Sequence, residues 1–302
     1  MDVVFVDEAH LLWSQGKQSY QNKNMIEDLR RIAKVVVLMF DQRQVMHAQD
    51  YWDPAYIESL KDIAKAKKAT TGLSYYYQLT KQMRITGGPD IVNWIMDFTD
   101  NQIIHPLPYD KNYDLRVFDS PFEMENCLRQ KIKSDPEKYR LSRILATFDW
   151  PYVDGRKPEN DKYWMVKVET PKGEWKKPWN KQLPIPKENK REQRKLSWAE
   201  QSHTMDEVGS TFTIQGSDLS IAALILGPSV RFKDGKIWFD ESKHADKKAI
   251  QNRTLEDGTK TSFADVFISN EVNVLMKRGV NGLYIYACDP DLRKELRKKS
   301  IQ

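Results

Sequence analysis

The sequence predicts an α/β protein built on parallel sheets, and three observations carry that prediction. Short unbroken apolar runs such as Val3 to Val6 and "VVVLMF" are rich in β-branched residues and too short for helices, the pattern of strands covered on both faces. Amphipathic helical stretches alternate with such runs, which is the order of βαβ units. The first run ends in the adjacent carboxylates Asp7 and Glu8, and the carboxyl ends of strands are where open α/β sheets bind ligands.

After the first strand, "NKNMIEDLRRIAK" places Met25, Ile26, Leu29 and Ile32 on one helical face and feeds the strand "VVVLMF". A helix is expected from about Pro54 to Lys67, and an extended segment in "GLSYYYQLT". In "GGPDIVNWIMDFTD", Pro89 stands where a first helical turn tolerates it, and Ile91, Ile95 and Phe98 supply the apolar positions. "LRVFD", "PFEMENCLRQKI" and "SRILATFDW" then read as strand, helix and strand. Beyond a basic window come the strand "SIAALILG", a hairpin around "KDGKIWF", a helix containing "EVNVLMKR", the strand "GLYIYA" and a closing helix "DPDLRKELRKK". No internal repeat is present.

The chain has 302 residues, 30% of them charged and 40% apolar, the composition of a soluble globular protein with one large core or two ordinary ones. No run approaches the length of a membrane helix and no basic-then-apolar leader opens the chain, so a cytoplasmic location and no membrane partner are expected. Cys127 and Cys288 alone cannot form a disulfide framework or a cysteine zinc site, and His10, His47, His105, His203 and His244 lack ligand spacing. Net charge is +5, but from Gly155 to Leu196 there are 13 Lys/Arg against 6 Asp/Glu, so the basic excess is local. That window also holds Tyr163, Trp164, Trp175 and Trp179. Two readings fit it: a surface that follows a phosphate backbone and stacks bases, or a solvated excursion whose aromatics pin it to the body.

Asp7 and Glu8 also admit two readings. In nucleotide hydrolases an Asp at this place holds Mg²⁺ and a following Glu orients or deprotonates water; equally, the pair could cap the next helix. Further motifs follow in order. Asp41 and Gln44 in "FDQRQVMH" have the spacing of the superfamily 1 helicase motif in which the glutamine senses the γ-phosphate. "LTKQMRITGG" resembles the motif whose arginine, here Arg84, reaches the triphosphate. "STFTIQGSDLSIAALILG" resembles the fifth helicase motif, with Gln215 and Gly216 as its QG pair and Asp218 in the position that contacts the ribose. "VNVLMKRGVNGLYIYACD" resembles the sixth, its usual Thr-Arg replaced by Lys277-Arg278, so that Arg278 is the second arginine finger. More narrowly, "QMRITGGPDIVNWI", "PWN", "TIQGSDLSIAALILGP" and "LMKRGVNGLYIY" resemble the Schlafen-type helicase family of bacteria and phages, from Met1 to about Leu296.

The resemblance implies a P-loop NTPase core of RecA-like domains, parallel sheets flanked by helices. The first domain, residues 1–80, starts at the acidic motif and is incomplete; the second, 81–302, carries the basic, aromatic insertion at about 151–200. Phosphoryl transfer needs a carboxylate for Mg²⁺, a polar group to align water and cations for developing charge. Asp7 as the Mg²⁺ ligand, with Glu8, Gln44, Arg84 and Arg278 as catalytic groups, fit those needs, and Asp41, Gln215, Gly216 and Asp218 complete the nucleotide contacts. ATP is expected between the two domains in the complete assembly. Lys176, Lys177, Lys181 and Trp179 are the expected contacts to single-stranded DNA or RNA.

The phosphate cradle G-x-x-x-x-G-K-[ST] is nowhere in the sequence: "SQGKQSY" and "DGTKTS" both lack required residues. The expectation is therefore the carboxy-terminal part of an ATP-dependent helicase or translocase, inactive in hydrolysis alone, whose amino-terminal part lies on another polypeptide, was truncated or was lost by a mis-called start. The alternative is a non-catalytic module that keeps the helicase fold and grips nucleic acid or a partner. A nuclease-associated accessory role is a third reading, although this chain supplies no nuclease residues.

Overall fold

The computed structural model describes residues 1–14, 20, 22, 24–80, 82–255 and 258–300. Gly16 and Lys17 of "SQGKQSY" and Asp257 of "DGTKTS" lie outside them. Two compact units result, Met1–Met83 with Gln251–Thr261, and Arg84–Ile250 with Ser262–Gln302. Among the described residues no helix is long and apolar enough to cross a membrane.

In the first unit, β1 (Val3–Val6) pairs in parallel with β2 (Val35–Leu38), Val3 opposite Val35 and Val6 opposite Leu38. The crossover contains α1 (Met25–Ile32), which starts because the Asn24 side chain accepts the Glu27 N–H at 3.1 Å and carries Glu27 and Asp28 at its positive end. α2 (Pro54–Thr71) is capped by Asp53 and runs past the expected Lys67 until Gly72, whose left-handed backbone (φ 74°) closes it. None of its residues is buried. Val3 and Phe5 are 47% and 72% exposed, so β1 is not covered on both faces and shows the apolar surface expected of an incomplete first domain. "GLSYYYQLT" forms no helix beyond Gly72 and, among the described residues, pairs with no strand.

The second unit is organised around a sheet of five parallel strands. Its elements in order are α3 (Pro89–Met96), β3 (Asp114–Val117), α4 (Pro121–Ser134), the single turn α5 (Pro136–Tyr139), β4 (Arg143–Ala146), β5 (Met165–Thr170), β6 (Gly173–Pro178), the single turn α6 (Lys190–Gln193), β7 (Val208–Gly209), α7 (Thr211–Ile214), β8 (Leu219–Leu226), β9 (Val230–Lys233) and β10 (Lys236–Phe239). Two short strands, β11 (Arg253–Thr254) and β12 (Lys260–Thr261), then belong to the first unit, before α8 (Ala264–Met276), β13 (Gly279–Ala287) and α9 (Pro290–Ser300) return to the second. Arg253 fixes the returning segment within the first unit, donating to the Ala48 carbonyl at 2.7 Å. A sequence division at residue 80 has no counterpart for this return.

Strand order is β3-β13-β8-β4-β7. Every residue of β8 is buried because alternate side chains feed two cores. Ala222, Leu224 and Leu226 meet α3, α8 and α9 through Ile95, Val272 and Leu292. Ile221, Ala223 and Ile225 face the other core, with Met124 and Leu128 of α4 and with Val166, Val168 and Trp175. Those last three residues form the inner face of the antiparallel β5–β6 hairpin, so the basic window contains a packed element. β9 and β10 form the expected second hairpin.

Candidate functional site

In the first unit the acidic motif lies at the carboxyl end of β1, beside the carboxyl end of β2. The Met39 N–H donates to the Val6 carbonyl at 2.9 Å and the Ala9 N–H to the Met39 carbonyl at 2.8 Å, which brings the Asp7-Glu8 turn next to the turn that begins at Asp41. Glu8 has φ 51°, a left-handed conformation that costs a glutamate on the order of 1 kcal/mol. Its N–H donates to Asp7 Oδ1 at 2.9 Å, which offsets part of that cost. Among the described residues a single 3₁₀ turn, Ala9–Leu11, precedes α1, and Glu8 makes no side-chain cap to it. The helix-cap reading of the pair therefore loses its basis.

His10 is buried, and its Nε2 lies 3.3 Å from Glu8 Oε2. Burial lowers its pKa, with the carboxylates of Glu8, Asp41, Asp50 and Asp7 opposing, so the imidazole is a neutral hydrogen-bonding partner for Glu8 at neutral pH. Asp41 accepts the Arg43 N–H and the Gln44 side-chain amide, each at 3.0 Å, and so holds Gln44 in place. Asp7 is exposed. Among the described residues no group of three or more His, Cys, Asp or Glu side chains is arranged to hold a metal ion alone. A single exposed carboxylate still fits Mg²⁺, which keeps several waters and takes its other ligands from substrate phosphates.

In the second unit, residues far apart in sequence meet at the amino ends of β8 and β13. Arg84 Nε donates to Asp218 Oδ1 at 2.5 Å, across 134 positions. Arg278, largely buried, donates from Nη1 to the Ser217 carbonyl at 3.4 Å, and its own carbonyl accepts the Leu219 N–H at 2.9 Å. The Thr86 N–H bonds the Val280 carbonyl at 2.9 Å and anchors the segment that presents Arg84. Gln215 and Gly216 are exposed on the same loop, and Gly216 has φ 73°, so the turn into Asp218 uses a backbone that glycine adopts freely. Both candidate arginines thus converge on the Ser217–Asp218 turn.

The expected nucleic-acid contacts fare differently. Trp179 is fully buried, its ring 4.9 Å from Phe148 and 6.4 Å from Trp150, and it has no face to offer a base. Lys177 is mostly buried and lies 3.0 Å from Glu125, while Lys176 lies 3.2 Å from Glu174. Lys181 is exposed. The aromatics of the window pin it to the body, as Trp175 does by donating to Glu125 Oε2 at 2.9 Å. Trp179 is accordingly a core residue, not a stacking platform, and Lys177 serves the hairpin.

One cluster has no counterpart in the sequence reading. At the carboxyl end of the sheet, buried Asp149, His244 and Glu271 meet: His244 Nδ1 is 3.0 Å from Asp149 Oδ1 and Nε2 is 3.9 Å from Glu271 Oε2. The three lie far apart in the chain, on no shared motif.

Comparison with known proteins adds two findings. Residues 1–289 match the Schlafen group 3, DNA/RNA helicase domain family. The chain is also 31% identical, over 326 aligned positions, to the uncharacterized protein YPL245W of Saccharomyces cerevisiae. That alignment covers 99% of this chain and 65% of the yeast protein.

Proposed function

The chain belongs to the Schlafen group 3 DNA/RNA helicase domain family, and on that premise we propose that it is the carboxy-terminal part of an ATP-dependent helicase or translocase. The observation that carries this reading is the meeting of Arg84 and Arg278 at the Ser217–Asp218 turn. Cations held there have the chemistry to compensate charge on a transferring phosphoryl group, and Asp218 has the chemistry to accept from a ribose hydroxyl. On the first unit, Asp7 would hold Mg²⁺, which when bound neutralises phosphate charge. Glu8, held by Asp7 and His10, orients or deprotonates water, and Gln44, held by Asp41, senses the terminal phosphate.

No G-x-x-x-x-G-K-[ST] occurs in the sequence, so this polypeptide alone lacks the amides and lysine that cradle phosphates. We expect it to show no Mg²⁺-dependent ATPase activity that Glu8→Gln removes. Mixing it with a polypeptide that carries a phosphate cradle and strands able to extend the β1–β2 sheet should produce such activity, and Arg278→Ala should then lower turnover about 10³-fold or more. Turnover by the chain alone that Glu8→Gln abolishes would contradict inactivity in isolation. Restored binding without Glu8- and Arg278-dependent turnover would favour the second reading, a non-catalytic module that retains the fold, which the missing cradle also supports.

A further inference from the structure

Five of the nine cations of the basic window that stand outside the β5–β6 hairpin fall in one stretch. Between Pro184 and Ser197 the chain carries Lys187, Lys190, Arg191, Arg194 and Lys195 against Glu188 and Glu192. All five cations are exposed, and among the described residues none has a carboxylate partner. The lysines of the hairpin differ in this respect: Lys167 pairs with Asp161, Lys172 with Glu123, Lys176 with Glu174 and Lys177 with Glu125. Hairpin charge is therefore largely spent within the fold, whereas the charge of the 184–197 excursion faces water.

The excursion is also anchored. Buried Glu207 receives the Leu183 N–H on Oε1 and the Trp198 indole N–H on Oε2, the latter at 3.0 Å, so a single carboxylate holds the chain on both sides of it. Trp198 packs flat enough on the next strand that a Cβ on Gly209 would lie 2.7 Å from its ring. Gly209 leads directly to Ser210, which starts the loop carrying Gln215, Gly216 and Asp218. Exposed cations on a pinned root, one residue from that loop, form a surface whose position is fixed while its side chains stay free to bind. From Lys187 to Leu196 the only exposed apolar residue is Leu196, which leaves little to insert into a lipid surface or to bury against a peptide.

We propose that the 184–197 excursion grips the phosphate backbone of a single nucleic-acid strand. This assignment rests on the helicase-type reading above and moves the interface away from Trp179, Lys176 and Lys177. It is a sequence-independent contact, so its signature is electrostatic: each phosphate neutralised on a single strand contributes about 0.7 to the slope of log affinity against log salt.

The test uses the full chain and fluorescently labelled oligodeoxythymidine and oligouridine, titrated at several KCl concentrations. Lys190→Glu/Arg191→Glu/Arg194→Glu should weaken binding about tenfold or more and reduce the salt slope by about 2. Lys167→Glu/Lys176→Glu, on the outer face of the hairpin, should change affinity less than about twofold. Circular dichroism and thermal unfolding of each variant confirm that folding is retained. Unchanged binding by the triple variant, or an equal loss in the hairpin variant, sinks this assignment and leaves the helicase-type reading standing. No salt-sensitive binding of either oligonucleotide by the parent chain, or binding to anionic phosphatidylserine vesicles in their place, overturns the grip and the nucleic-acid part of that reading together.

Discussion

At the scale of single residues, the chemistry of the second unit depends on a few buried polar groups that no local spacing announces. Glu271 is the clearest. Burial pushes its carboxyl up to about 8, with His244 opposing and the carboxylates of Asp149 and Asp246 adding to the rise. Its Oε1 accepts the Phe148 N–H at 3.0 Å. For His244, burial acts to lower the pKa, but the Asp149 hydrogen bond and the neighbouring carboxylates of Glu271 and Asp246 outweigh it and raise the imidazole above its ordinary value. Both folded pKa values thus lie above their unfolded ones, and both contributions have the same sign. The folded chain keeps protons that the unfolded chain releases, so stability is fully present below about pH 4.5 for Glu271 and declines as pH rises toward 8. Glu271→Gln should flatten that decline and raise stability at pH 8 by on the order of a few kcal/mol. Thermal unfolding of both forms from pH 5 to 9 measures it, and parallel curves would refute the assignment. Gly227 tests the same cluster by volume. A Cβ there would lie 2.3 Å from Asp149 Oδ2, so Gly227→Ala should cost about 1–3 kcal/mol or more by overpacking, read as a fall in the denaturation midpoint.

Elements were legible where one period dominates the apolar pattern. β8 was read from "SIAALILG" because an unbroken apolar run cannot be anything shorter or more exposed, and the β9–β10 hairpin from the Asp234-Gly235 turn, both residues of which have positive φ. The meeting of Asp218 and Arg278 was legible too, since the turns before β8 and β13 must come together once those strands pair. What the sequence left open was the basic window. Charge count alone could not separate Lys177, which a neighbouring helix claims through Glu125, from Arg191, which has no carboxylate partner among the described residues. That distinction depends on which side of the β5–β6 hairpin faces α4, a long-range fact. "GLSYYYQLT" illustrates a related point: extended propensity makes a strand only where a partner strand stands beside it, and among the described residues none pairs with this segment. The hairpin itself makes a firm prediction. Trp175 is buried against α4 and bonds Glu125, so Trp175→Ala should cost about 3–5 kcal/mol in chemical denaturation of the second unit. A cost below about 1 kcal/mol would mean that the hairpin is only a decoration on the sheet.

Across the whole molecule, the two units differ in how completely they are buried. The second has five paired strands with an apolar core on each face, so opening any central strand exposes both cores at once. The first has a two-stranded parallel sheet, a size that is marginal alone, and its parallel pairing ordinarily requires cover on both faces. Phe5, Val35, Met39, Leu79 and Met83 are instead exposed, and α2 buries none of its residues. Its buried apolar residues, Ala9, Ile26, Val45, Ala48 and Trp52, are few beside the two cores of the second unit, so less apolar area resists local opening there. In native-state hydrogen exchange, the amides of β1 and β2 should exchange at least about 10²-fold faster than those of β8 and β13, a difference of about 3 kcal/mol in opening free energy. Adding a polypeptide that carries a phosphate cradle and strands able to pair with the β1–β2 sheet should slow β1 and β2 selectively, because each added strand covers edge and face at once. Equal protection in both units without any addition would show that the exposed face of β1 is stable as it stands. In that case the proposal of a supplied amino-terminal half would lose its physical motive, whatever the motifs suggest.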